Sequence, residues 1–299
     1  MQTRAECVPC TLGQILNMRN FVELPAERAL AAQQDALARL AALDLRSATP
    51  AMLATACIRA GAQAAGSADP YLEAKRRYNR VALELLPKLA PKVERFPEGS
   101  PERLERALLI AAAGNIIDFG IFKEVDVESR VDQVLARGFQ HSDLDLLLKR
   151  LAGARRILYL ADNAGEIVLD RFAVAELARR APVTVAVKGA PILNDALVED
   201  ALAAGLQEWA EITTTGQGVL GVTREASPGF WSAFRAAGVV LSKGHANFES
   251  LDDQAHPGLF FLLTVKCQVV GDVLGCSVGD VVLKAAGTPG SGARCPKGE

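Results

Sequence analysis

The fold is decided by the segment Ile157-Leu158-Tyr159-Leu160-Ala161-Asp162-Asn163-Ala164-Gly165-Glu166. Its first five residues are apolar, and the residues that follow are polar or small. A short apolar run that ends in turn residues is typical of a strand buried on both faces of a parallel sheet. The segment therefore predicts a central strand up to Ala161, followed by a polar loop and a helix.

The same alternation of strand, turn and helix continues through the second half of the chain. Further apolar runs, each a predicted strand, lie at Val183–Val187, Trp209–Thr213, Val239–Leu241, Leu259–Val265 and Val281–Leu283. Strands separated by helical segments indicate a parallel sheet covered by helices. We therefore predict an α/β fold, a Rossmann-like three-layer sandwich with a mainly parallel sheet, as one domain over residues 151–286.

The first half of the chain has a helical pattern instead. From Thr11 to Leu151, apolar residues recur at three- and four-residue spacing in an Ala- and Leu-rich background, which favours helices. About five or six helices fit between the proline and glycine breaks, which are Pro25, Thr49-Pro50, Asp69-Pro70, Pro87–Pro101 and Gly138. We predict an all-α helical cap subdomain over residues 1–150, and a flexible tail over residues 287–299.

Composition excludes several classes of partner. The 33 basic and 35 acidic side chains nearly cancel, so a phosphate-tracking nucleic-acid surface is not expected. No apolar stretch reaches the roughly 18 residues that would span a membrane, and Met1–Cys7 lacks the apolar run of a signal peptide. We expect a cytoplasmic protein with a small-molecule partner; no pattern indicates its oligomeric state.

Polar side chains follow the predicted strands, where ligands of open parallel sheets bind. Asp162 and Asn163 follow the first predicted strand, and Asp195 lies in the loop after the second. Oxygen donors placed in this way can hold a hard divalent cation. Lys188 and Lys243 each precede a glycine at a strand end, where an anion could approach the backbone. Helix capping and simple solvation are the competing interpretations for each residue alone.

The helical half carries two further polar groups. Tyr71, Lys75 and Asn79 recur at four-residue intervals and share one stripe of a predicted helix, with a solvated helix face as the competing interpretation. Asn115 and Asp118 stand in an otherwise apolar segment. Burial of such groups costs several kcal/mol without partners, so they either bond another helix or face a polar cavity.

Three blocks of this sequence recur in order in one known protein family. They are Asp162-Asn163-Ala164-Gly165-Glu166, Lys188-Gly189-Ala190-Pro191-Ile192-Leu193-Asn194-Asp195 and Ser242-Lys243-Gly244-His245-Ala246-Asn247-Phe248-Glu249. The chain thereby resembles the DUF89 family, also called ARMT1-like or damage-control phosphatases. Similarity extends to Gly114–Asp118, Asp69-Pro70-Tyr71, Val265-Lys266-Cys267 and Cys7-Val8-Pro9-Cys10, and the cysteine pair resembles the prokaryotic branch.

The resemblance implies a phosphatase that uses a divalent metal, Mg²⁺, Mn²⁺, Co²⁺ or Ni²⁺, on small phosphorylated metabolites such as sugar phosphates. It implies that Asp162, Asn163 and Asp195 hold the metal. We expect Lys243 to join Asp162 and Asp195 in catalysis by neutralising charge on the transferring phosphoryl group. Asp162 would orient the attacking water or act as the nucleophile. The residues expected to contact substrate are Tyr71, Lys75, Asn79, Asn115, Asp118, Glu166, Lys188 and Asn247.

Two other functions remain compatible with the sequence. A Rossmann-like sheet can also hold a nucleoside at this edge, as in a carboxyl methyltransferase that uses S-adenosylmethionine, although the first loop here is not glycine-rich. The crevice could also bind a phosphometabolite without catalysis. Cys7 and Cys10 could join Cys267 in a structural or redox site, but a single CxxC pair is weak evidence for a metal.

Overall fold

The computed structural model describes residues 1–114 and 124–287. Two predicted substrate contacts, Asn115 and Asp118, lie outside the described residues, as do residues 288–299 of the predicted tail. The predicted fold class is confirmed, because a seven-stranded, mostly parallel sheet lies between layers of helices. Within the described residues, no helix is both long enough and apolar enough to cross a membrane.

The described residues up to 151 form seven α-helices. They are α1 (Cys7–Met18), α2 (Ala26–Ala41), α3 (Pro50–Ala65), α4 (Leu72–Glu94), α5 (Pro101–Ala113), α6 (Glu124–Arg137) and α7 (Leu144–Leu151). Helices α3 and α5 begin as their sequences predict, since Thr49 and Ser100 cap them and a proline occupies the first helical position.

The predicted break over Pro87–Pro101 is present but begins later than predicted, after Glu94. Helix α4 continues through Pro87 and Pro91 to Glu94. Both prolines lie on the exposed side of the helix, while Leu89 and Val93 are buried on the opposite side. Burial of that apolar face stabilises the helix by more than the hydrogen bonds that the two prolines remove.

The second half alternates strands and helices as predicted. Its elements are β2 (Ile157–Leu160), α8 (Glu166–Ala178), β3 (Val183–Val187), α9 (Val198–Ala203), β4 (Ala210–Thr214), α10 (Pro228–Ala236), β5 (Val239–Lys243), α11 (His245–Leu251), β6 (Leu259–Thr264), α12 (Gln268–Leu274) and β7 (Val281–Ala285). Among the strands of residues 1–114 and 124–287, the one that the sequence did not predict is β1 (His141–Ser142), which pairs with β7. Two residues are too few to show a periodic pattern.

The strand order is β1-β7-β6-β5-β2-β3-β4. All neighbouring strands pair in parallel except β6 and β7. From β2 the chain moves outward to β3 and β4 and then returns to the other side of β2 as β5. The strand order therefore reverses between β2 and β5, and the carboxyl ends of those strands form the crevice in which doubly wound sheets bind ligands.

Within the described residues, four apolar clusters hold the chain together, and the smallest joins α1 and α3 to Tyr71, Ile192 and Leu220. Helices α4 to α9 pack on one face of the sheet around Tyr159 and Leu241, and α10 to α12 pack on the other around Phe230 and Phe261. Helices α1 to α3 form a separate small core. The division at residue 150 stays a prediction, but α4 to α7 share the core of the sheet and only α1 to α3 have their own.

Candidate metal and phosphate site

The three predicted metal ligands meet at the carboxyl ends of β2 and β3. Asn163 and Asp195 form an isolated antiparallel bridge, and the backbone N–H of Ala196 donates to the carbonyl oxygen of Asp162 at 2.8 Å. The side chains of Asp162, Asn163 and Asp195 are buried. Helix capping by the two aspartates is wrong, since Gly165 and Leu197 precede α8 and α9.

The carboxylate of Asp162 lies in an unfavourable environment for its charge. Burial raises its pKa well above the usual value, and the nearby charges of Glu166 and Asp195 raise it further. Gly244 packs directly on this carboxylate, because a Cβ there would lie 2.0 Å from Asp162 Oδ2, and its φ is 79°. A glycine is therefore required at the end of β5 for both space and backbone conformation.

Lys188 partly compensates the negative charge of Asp195. Burial raises the pKa of Asp195 to about 6, and the ammonium of Lys188 opposes that rise. Lys188 Nζ lies 3.5 Å from Asp195 Oδ2 and donates to the carbonyl oxygen of Gly221 at 2.6 Å. Its remaining contact is Asn247 Oδ1 at 3.4 Å. We call Asp162, Asn163, Asp195 and Lys188 the rim cluster.

A second polar group lies beneath the rim cluster. Lys243 Nζ lies 2.6 Å from Asp170 Oδ1 and 2.7 Å from Glu166 Oε1, and it donates to the carbonyl oxygen of Ala111 at 3.0 Å. Tyr159 Oη donates to Asp170 Oδ1 at 2.7 Å. All four side chains are at most 1% exposed. We call Tyr159, Glu166, Asp170 and Lys243 the sealed cluster.

Lys243 is held as a cation in the sealed cluster. Burial disfavours its ammonium, but the carboxylates of Asp170 and Glu166 outweigh that cost and raise its pKa. Its three N–H groups have three acceptors at hydrogen-bonding distance. The residue does not line the cavity described below. The structure therefore does not bring the predicted catalytic lysine to the substrate, and its catalytic role stays a prediction.

The two clusters together carry excess negative charge. Asp162, Glu166, Asp170 and Asp195 are opposed by two buried ammonium groups, those of Lys188 and Lys243. Fully ionised, four carboxylates and two ammoniums leave two negative charges, which one divalent cation would neutralise. Uncompensated buried charge is costly. The donor set and its charge therefore fit a hard cation with oxygen ligands.

The fit rests on a small ligand set. Within residues 1–114 and 124–287, no group of three or more His, Cys, Asp or Glu side chains is arranged to hold a metal ion. The predicted set has two carboxylates and one amide, so substrate oxygens or water would complete the coordination of a Mg²⁺-type ion. Cys7, Cys10 and Cys267 line one cavity, and a thiol function for them stays a prediction.

The polar stripe of α4 is buried and is not a solvated face. Lys75 pairs with Asp69 at 2.5 Å, and Tyr71 packs on Phe21 with ring centroids 5.0 Å apart. Asn79 accepts a hydrogen bond from the backbone N–H of Gly165 at 2.7 Å. None of the three stripe residues lines the cavity. The structure therefore packs all three inside the protein, and Asn79 binds the loop that carries Asp162 and Asn163.

Asn247 occupies a similar supporting position. Its Nδ2 donates to the carbonyl oxygens of Ala161, at 3.1 Å, and Lys243, at 2.8 Å. The residue is fully buried and joins the ends of β2 and β5. Like Lys188 and Glu166, it does not line the cavity. Their predicted substrate contacts stay predictions, and their observed contacts are within the protein.

A cavity of about 330 Å³ opens over the rim cluster. Asp162, Asn163 and Asp195 lie at its base, and α1 and α3 supply the opposite wall with small and polar residues that include Thr11, Ala51 and Ala54. The cap over the site is therefore made by the separate core of α1 to α3, while α4 supports the site from behind.

Sequence reasoning missed the lysine that faces this cavity. Lys266 follows β6, is exposed and lines the cavity, and its charge lowers the pKa values of Asp162 and Asp195. Its backbone N–H donates to His245 Nε2 at 2.9 Å. Burial lowers the pKa of His245 to about 3, so that imidazole is neutral. The position of Lys266 directly after a strand was the signal that could have identified it.

Comparison with known proteins identifies a family that matches this chain. A family model described as the damage-control phosphatase ARMT1-like domain matches residues 3–282. The chain belongs to this family. The resemblance drawn from the sequence blocks is therefore confirmed, and the site lies on the strand ends where the three blocks of this ARMT1-like chain meet.

Relatives cover almost the whole ARMT1-like chain. A damage-control phosphatase of Archaeoglobus fulgidus is 33% identical over 285 residues, 93% of this chain and 97% of the relative. An uncharacterised protein of Methanocaldococcus jannaschii is 32% identical over 291 residues, 95% of each chain. The crystal structure of a DUF89 family protein from Pyrococcus horikoshii superposes with a TM-score of 0.84 at 29% identity, covering 96% of this chain and 99% of that one.

Proposed function

We propose that this protein is a divalent-metal-dependent phosphatase that hydrolyses small phosphorylated metabolites such as sugar phosphates. The observation that carries the proposal is the excess of buried carboxylates at the reversal point of the sheet, directly below a cavity of about 330 Å³. A volume of this size is at the lower end for small-molecule sites. The names of its relatives support phosphatase activity.

Asp162, Asn163 and Asp195 would hold the cation, which we expect to be Mg²⁺, Mn²⁺, Co²⁺ or Ni²⁺. When bound, it would polarise the phosphoryl oxygens and stabilise the charge that develops on them. Lys266 lines the same cavity and adds a positive charge on the side from which a phosphate enters. Asp162 lies at the base of the cavity, where its carboxylate can orient an attacking water or attack phosphorus itself.

Hydrolysis of p-nitrophenyl phosphate tests the proposal directly. We expect release of p-nitrophenol that is lost after EDTA and restored by Mn²⁺, Co²⁺, Ni²⁺ or Mg²⁺. Substrate turnover that is insensitive to chelation would contradict metal dependence. Transfer of a labelled methyl group from S-adenosylmethionine, or tight binding of phosphate esters without turnover, would favour the two other functions. A phosphometabolite panel would then identify the preferred substrate.

A further inference from the structure

The amide of Asn163 is oriented by two carboxylates. Its Nδ2 donates one hydrogen bond to Asp162 Oδ2 at 2.7 Å and a second to Glu166 Oε2 at 3.0 Å. An amide nitrogen has only two hydrogens, so both are used. Reversal of the amide would place its oxygen against two carboxylate oxygens. Since Asn163 lines the cavity, its carbonyl oxygen is the polar atom that remains for a ligand there.

The orientation of Asn163 depends on Glu166 Oε2 acting as the acceptor of its second hydrogen bond. A carboxylate can only accept hydrogen bonds, whereas a neutral carboxyl or amide can also donate. A donor at this position would favour the reversed amide of Asn163, with its oxygen turned towards Glu166 and away from a cation. Glu166 is 1% exposed, so its side chain is held by contacts within the protein.

The sealed cluster holds the carboxylate of Glu166 in place. Lys243 Nζ lies 2.7 Å from Glu166 Oε1, which leaves Oε2 for Asn163. Asp170 and the carbonyl oxygen of Ala111 hold the ammonium from the other side, and Tyr159 holds Asp170. The contacts form one continuous path from the interior of the sheet to the rim cluster.

We propose that Glu166, Lys243 and Asp170 are positioning residues that fix the amide of Asn163 with its oxygen towards the bound cation. This inference rests on the proposed metal site. It assigns the buried lysine and Asp170 a role that requires no contact with substrate. Groups that orient metal ligands through hydrogen bonds typically change metal affinity about 10- to 100-fold.

A double-mutant cycle separates the effect of Glu166 on the orientation of the Asn163 amide from the effect of its charge on the cation. Glu166→Gln has the shape of the native side chain but can donate to Asn163, and we expect it to weaken Mn²⁺ binding about 10- to 100-fold. In an Asn163→Asp background there is no amide to reverse, so the same substitution should change affinity less than about threefold. Free Mn²⁺ measured by electron paramagnetic resonance gives each dissociation constant without reference to activity.

Asp170→Asn tests the contact between Asp170 and Lys243, which does not involve Asn163 directly. We expect it to weaken Mn²⁺ binding about tenfold, although Asp170 does not line the cavity. Glu176→Gln is the matched control, because Glu176 lies on the same helix, is 3% exposed and pairs with Arg103 at 2.8 Å. It should lower the melting temperature and leave Mn²⁺ affinity unchanged. If Asp170→Asn does not fold, the Glu166 cycle alone decides.

Two results would overturn the inference while leaving the metal site intact. One is an equal loss of Mn²⁺ affinity for Glu166→Gln in both backgrounds, which would show that only its charge matters. The other is unchanged affinity in the native background. A wild-type protein that binds no Mn²⁺ would instead overturn the proposed function and, with it, this inference.

Discussion

The rim cluster and the sealed cluster are both buried, and each has two carboxylates and one lysine, but they differ in the contacts of that lysine and in access to the cavity. Burial raises the pKa of Asp170 and that of Asp195 alike to about 6. In the sealed cluster, Lys243 has three acceptors within 3.0 Å, two of them carboxylates. In the rim cluster, Lys188 is 3.5 Å from Asp195, and burial with neighbouring carboxylates raises the pKa of Asp162. The comparison teaches that burial of charge does not itself indicate a binding site. Buried carboxylates that line a cavity, with the ammonium of Lys188 3.5 Å from Asp195, are what indicate a binding site here.

The largest effect that would test this comparison is expected at Asp162. Asp162→Ala should abolish Mn²⁺ binding and reduce hydrolysis of p-nitrophenyl phosphate to the rate of Mn²⁺ in buffer, because it removes a ligand that no neighbour can replace. The measurements are Mn²⁺ titration and p-nitrophenol release. Asp132→Ala removes an exposed carboxylate paired with Lys92 and is the control. Normal turnover by Asp162→Ala would refute the proposed site.

A substitution in the sealed cluster should change the free energy of unfolding. Lys243→Met leaves Asp170 and Glu166 buried without their cation, and we expect a loss of about 3–5 kcal/mol in the free energy of unfolding. Lys284→Met is the matched control, since Lys284 is 8% exposed on β7 and its Nζ has no hydrogen-bond partner among the described residues. That substitution should be neutral or stabilising. Urea unfolding measures both, and equal losses would contradict the contrast.

A bound cation should compensate the negative charge of the carboxylates in the rim cluster, as Lys243 does in the sealed cluster. Mn²⁺ at a hundredfold excess over its dissociation constant should stabilise the protein by about 2.7 kcal/mol, and EDTA should reverse the gain. Thermal unfolding followed by circular dichroism gives the shift. Asp162→Ala should show none of it. An equal Mn²⁺ effect on that variant would place the ion elsewhere.

The smallest effect is expected at Lys266, which is exposed and therefore acts through a well-screened charge. Lys266→Gln should lower kcat/KM for a phosphate ester about tenfold, or about 1.4 kcal/mol, with Mn²⁺ affinity nearly unchanged. Steady-state kinetics at two salt concentrations measure it. Lys92→Gln, which changes a lysine of the α4 surface, is the control. A wild-type rate in Lys266→Gln would remove that lysine from the site.

The strands could be predicted because each is a short apolar run that ends in polar residues. The run from Ile157 to Ala161 became β2, and Val183–Val187 became β3 without a shift. The sequence could not show that α4 packs with the sheet, since an apolar helix stripe does not specify its partner. Nor could it show that α4 crosses Pro87, because the compensating burial is tertiary.

The residues of the candidate site were likewise predictable only in part. Asp162, Asn163 and Asp195 were predicted to meet because each follows a strand, and the strand ends of a parallel sheet share one edge. Lys243 ends β5 and Lys266 lies two residues after β6, so both are at strand ends and position along the chain does not distinguish them. The structure does, since the first is fully buried between carboxylates and the second is exposed at the cavity.

The sequence by itself determined the α/β class, the predicted strands and the set of oxygen donors at their ends, because periodicity and turn chemistry are local properties. Only the tertiary structure decided which charged groups are compensated and which are left facing a cavity. Compensation depends on distances between groups far apart in the chain, such as Ala111 and Lys243, and on the water that folding removes from between them.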